Sequence, residues 1–310
     1  MFKPIIPTIF RILIGFVFLF SSITKLISID VFEVYIYGFE WLSLNASYIF
    51  ARLIIGFELV LGLLFISNIY FRLSWLVSMF TLAGFTIFLS YLLFIGNNDN
   101  CNCFGDIIQL NPLNSIFKNL LFIILLILSF RNKSGTFKFR KIIFISLIII
   151  GLAIPNIVSP PDNFLQYDRK IETKFDIDKF NTSLNNFVDV PESFLTIKKQ
   201  NKVICFVSSQ CNFCKLAVKK IEVIAKKAES NDNILLVFFG KPENINSFLD
   251  ETNTKEFNHI ILSVPEFFEQ STGKIPEILL LDKGNVIKRY GYRDIVEKDI
   301  LSFLSSEIDI

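Results

Sequence analysis

Five long apolar runs in the first 158 residues restrict this chain more than any other feature. They fall at about 8–26, 47–67, 74–95, 114–130 and 142–158. A hydrocarbon layer of ~30 Å is crossed by roughly 20 apolar residues in a helix. In that solvent every backbone N–H and C=O must be satisfied inside the chain, so the runs read as transmembrane helices. The last two are short, which leaves their ends soft. Residues 1–26 start with Lys3 and Arg11, and no small-residue cleavage site follows them. They are therefore expected to stay as a first span rather than leave as a signal peptide.

Composition changes near residue 160. A mean hydropathy of +0.52, with 36 Phe, is too apolar for one soluble domain and too polar for a wholly membrane-embedded chain. Before residue 160 there are 11 Lys+Arg against 6 Asp+Glu; subtraction from totals of 31 and 29 leaves 20 against 23 after it. A basic membrane half thus precedes a slightly acidic soluble half. Neither carries the dense basic patch that nucleic-acid binding needs, so no nucleic-acid partner is expected. The organisation expected is a transmembrane domain over 1–158, a linker over 159–189, and an α/β domain over 190–310.

Short-loop Lys and Arg set orientation. Segment 131–141, RNKSGTFKFRK, carries five positive charges and no negative one, which assigns it to the cytoplasm. Lys3, Arg11 and Arg72 fall on the same side if the spans alternate, and Asp30, Glu33, Glu40, Asp99 and Asp106 fall on the other. The expected location is a bacterial inner membrane, with a cytoplasmic N-terminus and a periplasmic C-terminal domain. Arg11, Lys25, Arg52, Glu58 and Lys118 lie in or at the edges of spans. A charge at mid-membrane costs at least ~2.5 kcal/mol, so it faces protein or a cavity. Glu58 is the deepest. Two readings stand: a structural ion pair with Arg11 or Arg52, or a proton or quinone site.

Five cysteines occur, none inside a span. Cys101-Asn102-Cys103 sits in an outward loop, and Cys211-Asn212-Phe213-Cys214 in the soluble half. Both pairs are placed where disulfides persist. A disulfide between residues two apart needs a tight turn to bring the Cα atoms within ~4.4–6.8 Å. Asn102 and Gly105 tolerate the positive φ of such a turn. A strained, exposed bridge is oxidising, and Lys25, Arg52 or Lys118 nearby would lower a thiol pKa. A static loop staple and a two-thiolate metal site are the other readings. A closed metal site needs about four ligands, and the single histidine, His259, is distant in sequence, so no metal is expected.

In the soluble half a strand-like run, 202–207, leads into the second pair. Leu216, Val218, Ile221, Ile224, Ala225 and Ala228 then follow at helical spacing. Cys211 therefore falls where a helix begins, and unpaired N–H groups there favour a thiolate. Next come a strand (233–239), a helix opened by Pro242-Glu243, a strand (259–262), a hairpin (277–281 and 286–290) and a final helix (296–304). CxxC in a βαβ setting is the redox form of that motif, against a plain structural disulfide.

On the strand–Cys211-x-x-Cys214–helix unit and Ile275-Pro276 before a hairpin, residues 190–306 resemble the thioredoxin-like superfamily. The resemblance implies a cis Pro276 facing the two sulfurs. Gln210 stands where the family usually has an aromatic residue, and Cys205 where many members carry a buried acid, so proton transfer to Cys214 is less assisted. Residues 5–155 resemble the DoxX-like membrane family, and within it the methylamine-utilisation MauE group. The carriers are Arg11-x3-Gly15-x2-Phe18-x2-Ser21-x3-Lys25, Glu58-Leu59-x2-Gly62 and Cys101-x-Cys103-Phe104-Gly105-Asp106.

This second resemblance implies a four-helix core shaped like quinone-coupled disulfide-forming enzymes. It also implies a role in disulfide formation in exported proteins. Together they suggest a relay: exported protein thiols meet Cys211, Cys214 resolves, and Cys101 and Cys103 reoxidise the CxxC. A membrane quinone drawn from the lipid bilayer would be the final acceptor, with Arg52, Lys25 and Glu58 as its site. The alternatives are a reductase or isomerase fed by a partner, and a non-enzymatic maturation or transport factor for one client.

Overall fold

The computed structural model describes residues 5–96, 100–108, 110–131, 135, 138–162, 175–185, 201–239 and 243–305, excepting the side chains of 183 and 185. The chain forms two compact units. One is Met1–Tyr35 with Tyr48–Pro161; the other is Ile36–Ser47 with Asp162–Ile310.

The first unit is helical. The helices α1 (Ile5–Ile27), α3 (Leu44–Ser67), α4 (Phe71–Phe94), α5 (Pro112–Ser129) and α6 (Arg140–Val158) are each long and apolar enough to cross a membrane. They coincide with the five expected spans to within about three residues. A short α2 (Ile29–Tyr37) follows α1, and a strand β1 (Cys103–Asp106) precedes α5. Much of the apolar surface of these helices points outward: Phe16, Phe80, Ile87, Phe117 and Ile149 are all exposed. That is the expected pattern for side chains meeting lipid rather than water.

The spaced residues of α1 and α3 pack against each other. A Cβ on Gly15 would meet Gly62 O at 3.1 Å, and one on Gly62 would meet Gly15 O at 2.9 Å, so only glycine allows this backbone approach. Phe18 stacks on Phe65 at 6.0 Å, and the Arg11 guanidinium donates to the carbonyls of Phe65 and Ile66. Arg52 is fully buried and paired with Glu33; it also donates to Ser159 O at 2.8 Å and Tyr48 O at 2.6 Å.

The second unit holds a five-stranded sheet of β2 (Lys202–Val207), β3 (Ile234–Phe239), β4 (Asn258–Leu262), β5 (Glu277–Asp282) and β6 (Asn285–Tyr290). Their order is β4-β3-β2-β5-β6. The three strands on the β4 side run parallel, with Cys205 opposite Leu236; β5 lies antiparallel to β2, and β6 to β5. The helices are α7 (Ile177–Asn185), α8 (Asn212–Ala228), α9 (Glu243–Thr252), α10 (Val264–Gln270) and α11 (Glu297–Ser305). This is the thioredoxin-like arrangement. The central strand ends at the cysteine loop, and α8 follows it with Leu216, Val218, Ile221 and Ile224 buried. Pro242 lies outside the described residues.

Two boundaries differ from expectation. The expected linker 159–189 contains α7, whose Phe180 and Leu184 sit fully buried against Ile204, Phe206 and Leu279. Burying one such side chain contributes ~1.5–3 kcal/mol, enough to make α7 part of the sheet's core despite its polar sequence. Its polar average hid this, because Ile177, Phe180 and Leu184 are spread along an otherwise polar sequence. Segment Ile36–Ser47, assigned to the transmembrane domain by sequence, also belongs to this unit. Glu297 accepts from Tyr37 Oη at 3.0 Å, Leu44 N at 2.6 Å and Lys227 Nζ at 2.8 Å, and Lys227 also reaches Leu42 O.

Candidate functional site

Cys211 is the N-cap of α8. Its Sγ accepts the backbone N–H of Cys214 at 3.2 Å, using one of the donors that the first helical turn leaves without a partner. Both thiols are free; Cys211 is half-buried and Cys214 buried. Burial pushes the Cys214 thiol well above its ordinary range, and the hydrogen bond with Cys211 pushes it further the same way. The geometry thus separates an accessible sulfur at a helix N-terminus from a protonated one behind it. Cys205, in the position of the family's acid, is fully buried and pushed up to about 12 by desolvation. It stays a neutral thiol and offers Cys214 no base.

The surroundings of this pair are set by three contacts. Phe213, between the cysteines, is half exposed and its ring lies 5.3 Å from Tyr292. Lys220, fully buried on α8, has its Nζ 3.9 Å from the centre of the Tyr292 ring and donates to Tyr292 O at 3.1 Å. The Ile275–Pro276 bond is cis. Glu277, next in the chain, accepts from Thr272 N at 2.8 Å and from Arg289 at 2.5 Å, so a buried carboxylate ties down the segment that carries Pro276.

In the first unit, Cys101 and Cys103 are joined as a disulfide with a Cα–Cα distance of 5.4 Å. The turn is made as expected, with Asn102 at φ +49° and Gly105 at φ +60°. Asn100 Oδ1 accepts from Asn102 N and Leu110 N, and Cys101 N donates to Leu110 O. The loop rests on α1. A Cβ on Gly105 would lie 2.1 Å from Ser28 Oγ, which itself accepts from Asp106 N at 3.0 Å. The expectation of an exposed bridge is corrected: Cys101 is 2% and Cys103 5% exposed. Glycine allows the loop to sit flat on α1, and α5 closes over the sulfurs.

Two further expectations change. Glu58 pairs with Lys25, at 2.6 and 2.8 Å, and not with Arg11 or Arg52. Lys25 also donates to Ser21 Oγ at 2.8 Å, and Ser21 lies 2.9 Å from Cys103 O and 3.0 Å from Glu58 Oε2. The spacing of Ser21 and Lys25 puts them one turn apart on the face of α1 that meets α3, where Glu58 waits. Arg52 is committed to Glu33 and two carbonyls, as described above. Of the three cations expected near the loop, Lys118 is the one that no carboxylate pairs with among the described residues; its Nζ lies 4.5 Å over the Phe104 ring. Ser115, which touches both sulfurs, carried no motif signal and was missed, as was Ser21's link to Cys103.

A groove of about 530 Å³ runs along α1 from Ile9 to Phe20 and ends at Phe104 and Phe122. Its lining is apolar throughout, suited to a hydrocarbon chain and not to a charged ligand.

Residues 3–131 match the family model described as Methylamine utilisation protein MauE. Along 92% of its length the chain is 28% identical to Protein TlpB of Flavobacterium psychrophilum, covering 91% of that protein. About a third of the chain (34%) is similar to three solved structures. One is a secreted Mycobacterium tuberculosis disulfide oxidoreductase (10% identical, 81% of that chain, TM-score 0.30). The others are MTB dsbF (14%, 80%, 0.29) and a thioredoxin-like protein of Porphyromonas gingivalis (17%, 74%, 0.28). The fold stands on the sheet order above rather than on these scores.

Proposed function

We propose, for this MauE-like membrane half joined to a thioredoxin-like unit, the activity of a membrane-bound thiol–disulfide oxidoreductase that supports disulfide formation in exported proteins. The observation that carries it is Cys211 capping α8, accessible and held by the Cys214 N–H. An oxidised Cys211–Cys214 pair accepts a client thiolate at Cys211; the client's second thiolate then closes its own disulfide and leaves both cysteines reduced. The Cys101–Cys103 disulfide takes the two electrons in turn, in two exchange steps. Its burial keeps client proteins away from it and makes Cys211 the point of entry. The positive segment 131–141 supports an orientation that puts both pairs on the non-cytoplasmic side.

The acceptor we infer for the CxC pair is a membrane quinone, which would supply a two-electron sink. The apolar groove ending at Phe104 fits its hydrocarbon part. Lys25, Glu58 and Arg52 are spent on ion pairs, so Lys118 over Phe104 is the better-placed cation for an acceptor oxygen. Lys25 and Glu58 then hold the loop from below through Ser21.

The direction of exchange is read from the CxxC redox potential in the purified full-length protein. A value near about −120 mV fits oxidation of clients, and one near about −270 mV a reductase. Dithiol-loaded protein should reduce added quinone, and Cys101→Ser should lose this; no reduction by the intact protein discards the quinone.

A further inference from the structure

The two sulfurs of Cys101–Cys103 share one bond, yet their surroundings differ. Ser115 Oγ lies 2.9 Å from Cys101 Sγ and 3.5 Å from Cys103 Sγ. A disulfide sulfur carries no proton, so the serine hydroxyl is the donor, and the shorter contact directs its one proton to Cys101. Ser115 is fully buried, and its own amide is already bonded to Asn111 O. It stands in the first turn of α5, behind the Asn111 cap and Pro112, where the helix end is electropositive. Lys118 follows three residues on, along the same face. A thiolate released in this water-poor place requires a donor, or its formation is strongly opposed.

We propose that Ser115 selects the leaving sulfur: an incoming thiolate attacks Cys103, and Cys101 departs as a thiolate held by the Ser115 hydroxyl. This rests on the reading of the CxC pair as an exchanging disulfide. In the first step the attacking sulfur bonds to Cys103 Sγ, the Cys101–Cys103 bond breaks, and its electron pair goes to Cys101. In the second, the attacker's partner thiolate bonds to the attacking sulfur and releases Cys103 as a thiolate. The donor dithiol loses two electrons, the CxC pair gains them, and the donor's two protons neutralise the two new thiolates. Thiol exchange is faster when the leaving sulfur is the better-stabilised one, so Ser115 makes the ring asymmetric in reactivity.

The test uses the full-length protein with Cys211→Ser and Cys214→Ser, so that only the CxC disulfide can react. Reduced glutathione opens the bridge, N-ethylmaleimide quenches, and peptide mass spectrometry locates each adduct. Glutathione is expected on Cys103 and maleimide on Cys101, by roughly tenfold over the reverse. Ser115→Ala should bring the two products toward equality, while Ser115→Thr, which keeps the hydroxyl, should preserve the preference. In the reduced protein, the pH at which Cys101 reacts with maleimide should rise in Ser115→Ala, which a purely packing role would not cause. Glutathione on Cys101, equal products in the parent, or an unchanged preference in Ser115→Ala overturns the assignment of Ser115 alone. A bridge that glutathione never opens in the folded protein overturns the exchange reading with it.

Discussion

The two sulfur pairs solve opposite problems with opposite surroundings. Cys211 and Cys214 are open thiols, and their asymmetry comes from a helix: one sulfur caps α8 and meets solvent, the other is buried a turn below. Cys101 and Cys103 are closed and both buried, and their asymmetry comes from one hydroxyl on α5. The first pair leaves one sulfur open to partners from solvent. The second is held between α1 and α5, where Gly105 takes a left-handed φ close against Ser28. On the proposed relay, a chain that kept only the first would be a thioredoxin-like protein on an anchor, and the second would bring the membrane half into the exchange.

The sharpest way to break this contrast is Cys211→Ser. Oxidation of a reduced, folded protein client by the purified protein should fall to the level of buffer alone, since the buried CxC pair is closed to so large a partner. Sustained activity would mean that clients reach the loop directly. Next in size is Glu58→Gln, which leaves Lys25 charged and half-partnered beneath the loop. Removing one member of a buried pair costs about 3 kcal/mol or more, and Lys25→Met in the same protein should recover part of that loss. Thermal unfolding in detergent reads both.

Gly105→Ala probes the seat of the loop. Its φ of +60° and the 2.1 Å approach to Ser28 Oγ should cost about 1–3 kcal/mol and speed reduction of Cys101–Cys103 by dithiothreitol, leaving Cys211 alkylation as it was. The smallest effect concerns Cys205. Its thiol rises from 9.0 to about 12 on burial, so the folded state keeps a proton that the unfolded state gives up. The stability tied to that proton is whole below pH 9 and is lost as pH rises from about 9 to about 12. Cys205→Ala should flatten this alkaline decline in a denaturation series and leave client oxidation intact.

What the sequence disclosed follows from how local each feature is. The spans, the hairpin at 277–290 and the position of Cys211 at a helix start are written in runs and periods a few residues long, and they stand in the structure. The turn chemistry of Asn102 and Gly105 was equally legible, because Asn and Gly take a left-handed backbone at little cost. The partner of Glu58 was not: Arg11 and Arg52 were the partners expected, and the packing of α1 on α3 brings Lys25 to it instead. Ser115 was invisible for the same reason, being an ordinary serine until α5 is laid over the sulfurs. The α7 helix escaped because Phe180 and Leu184 matter only once Ile204 and Phe206 lie beneath them.

The central claim is that electrons pass from Cys211–Cys214 to Cys101–Cys103. Thiol trapping of all four cysteines in growing cells tests it most directly, comparing the parent with a Cys101→Ser, Cys103→Ser variant. The account predicts that the CxxC pair, largely oxidised in the parent, accumulates as free thiols once the loop pair is gone. A CxxC pair that remains oxidised to the same extent in both would contradict it.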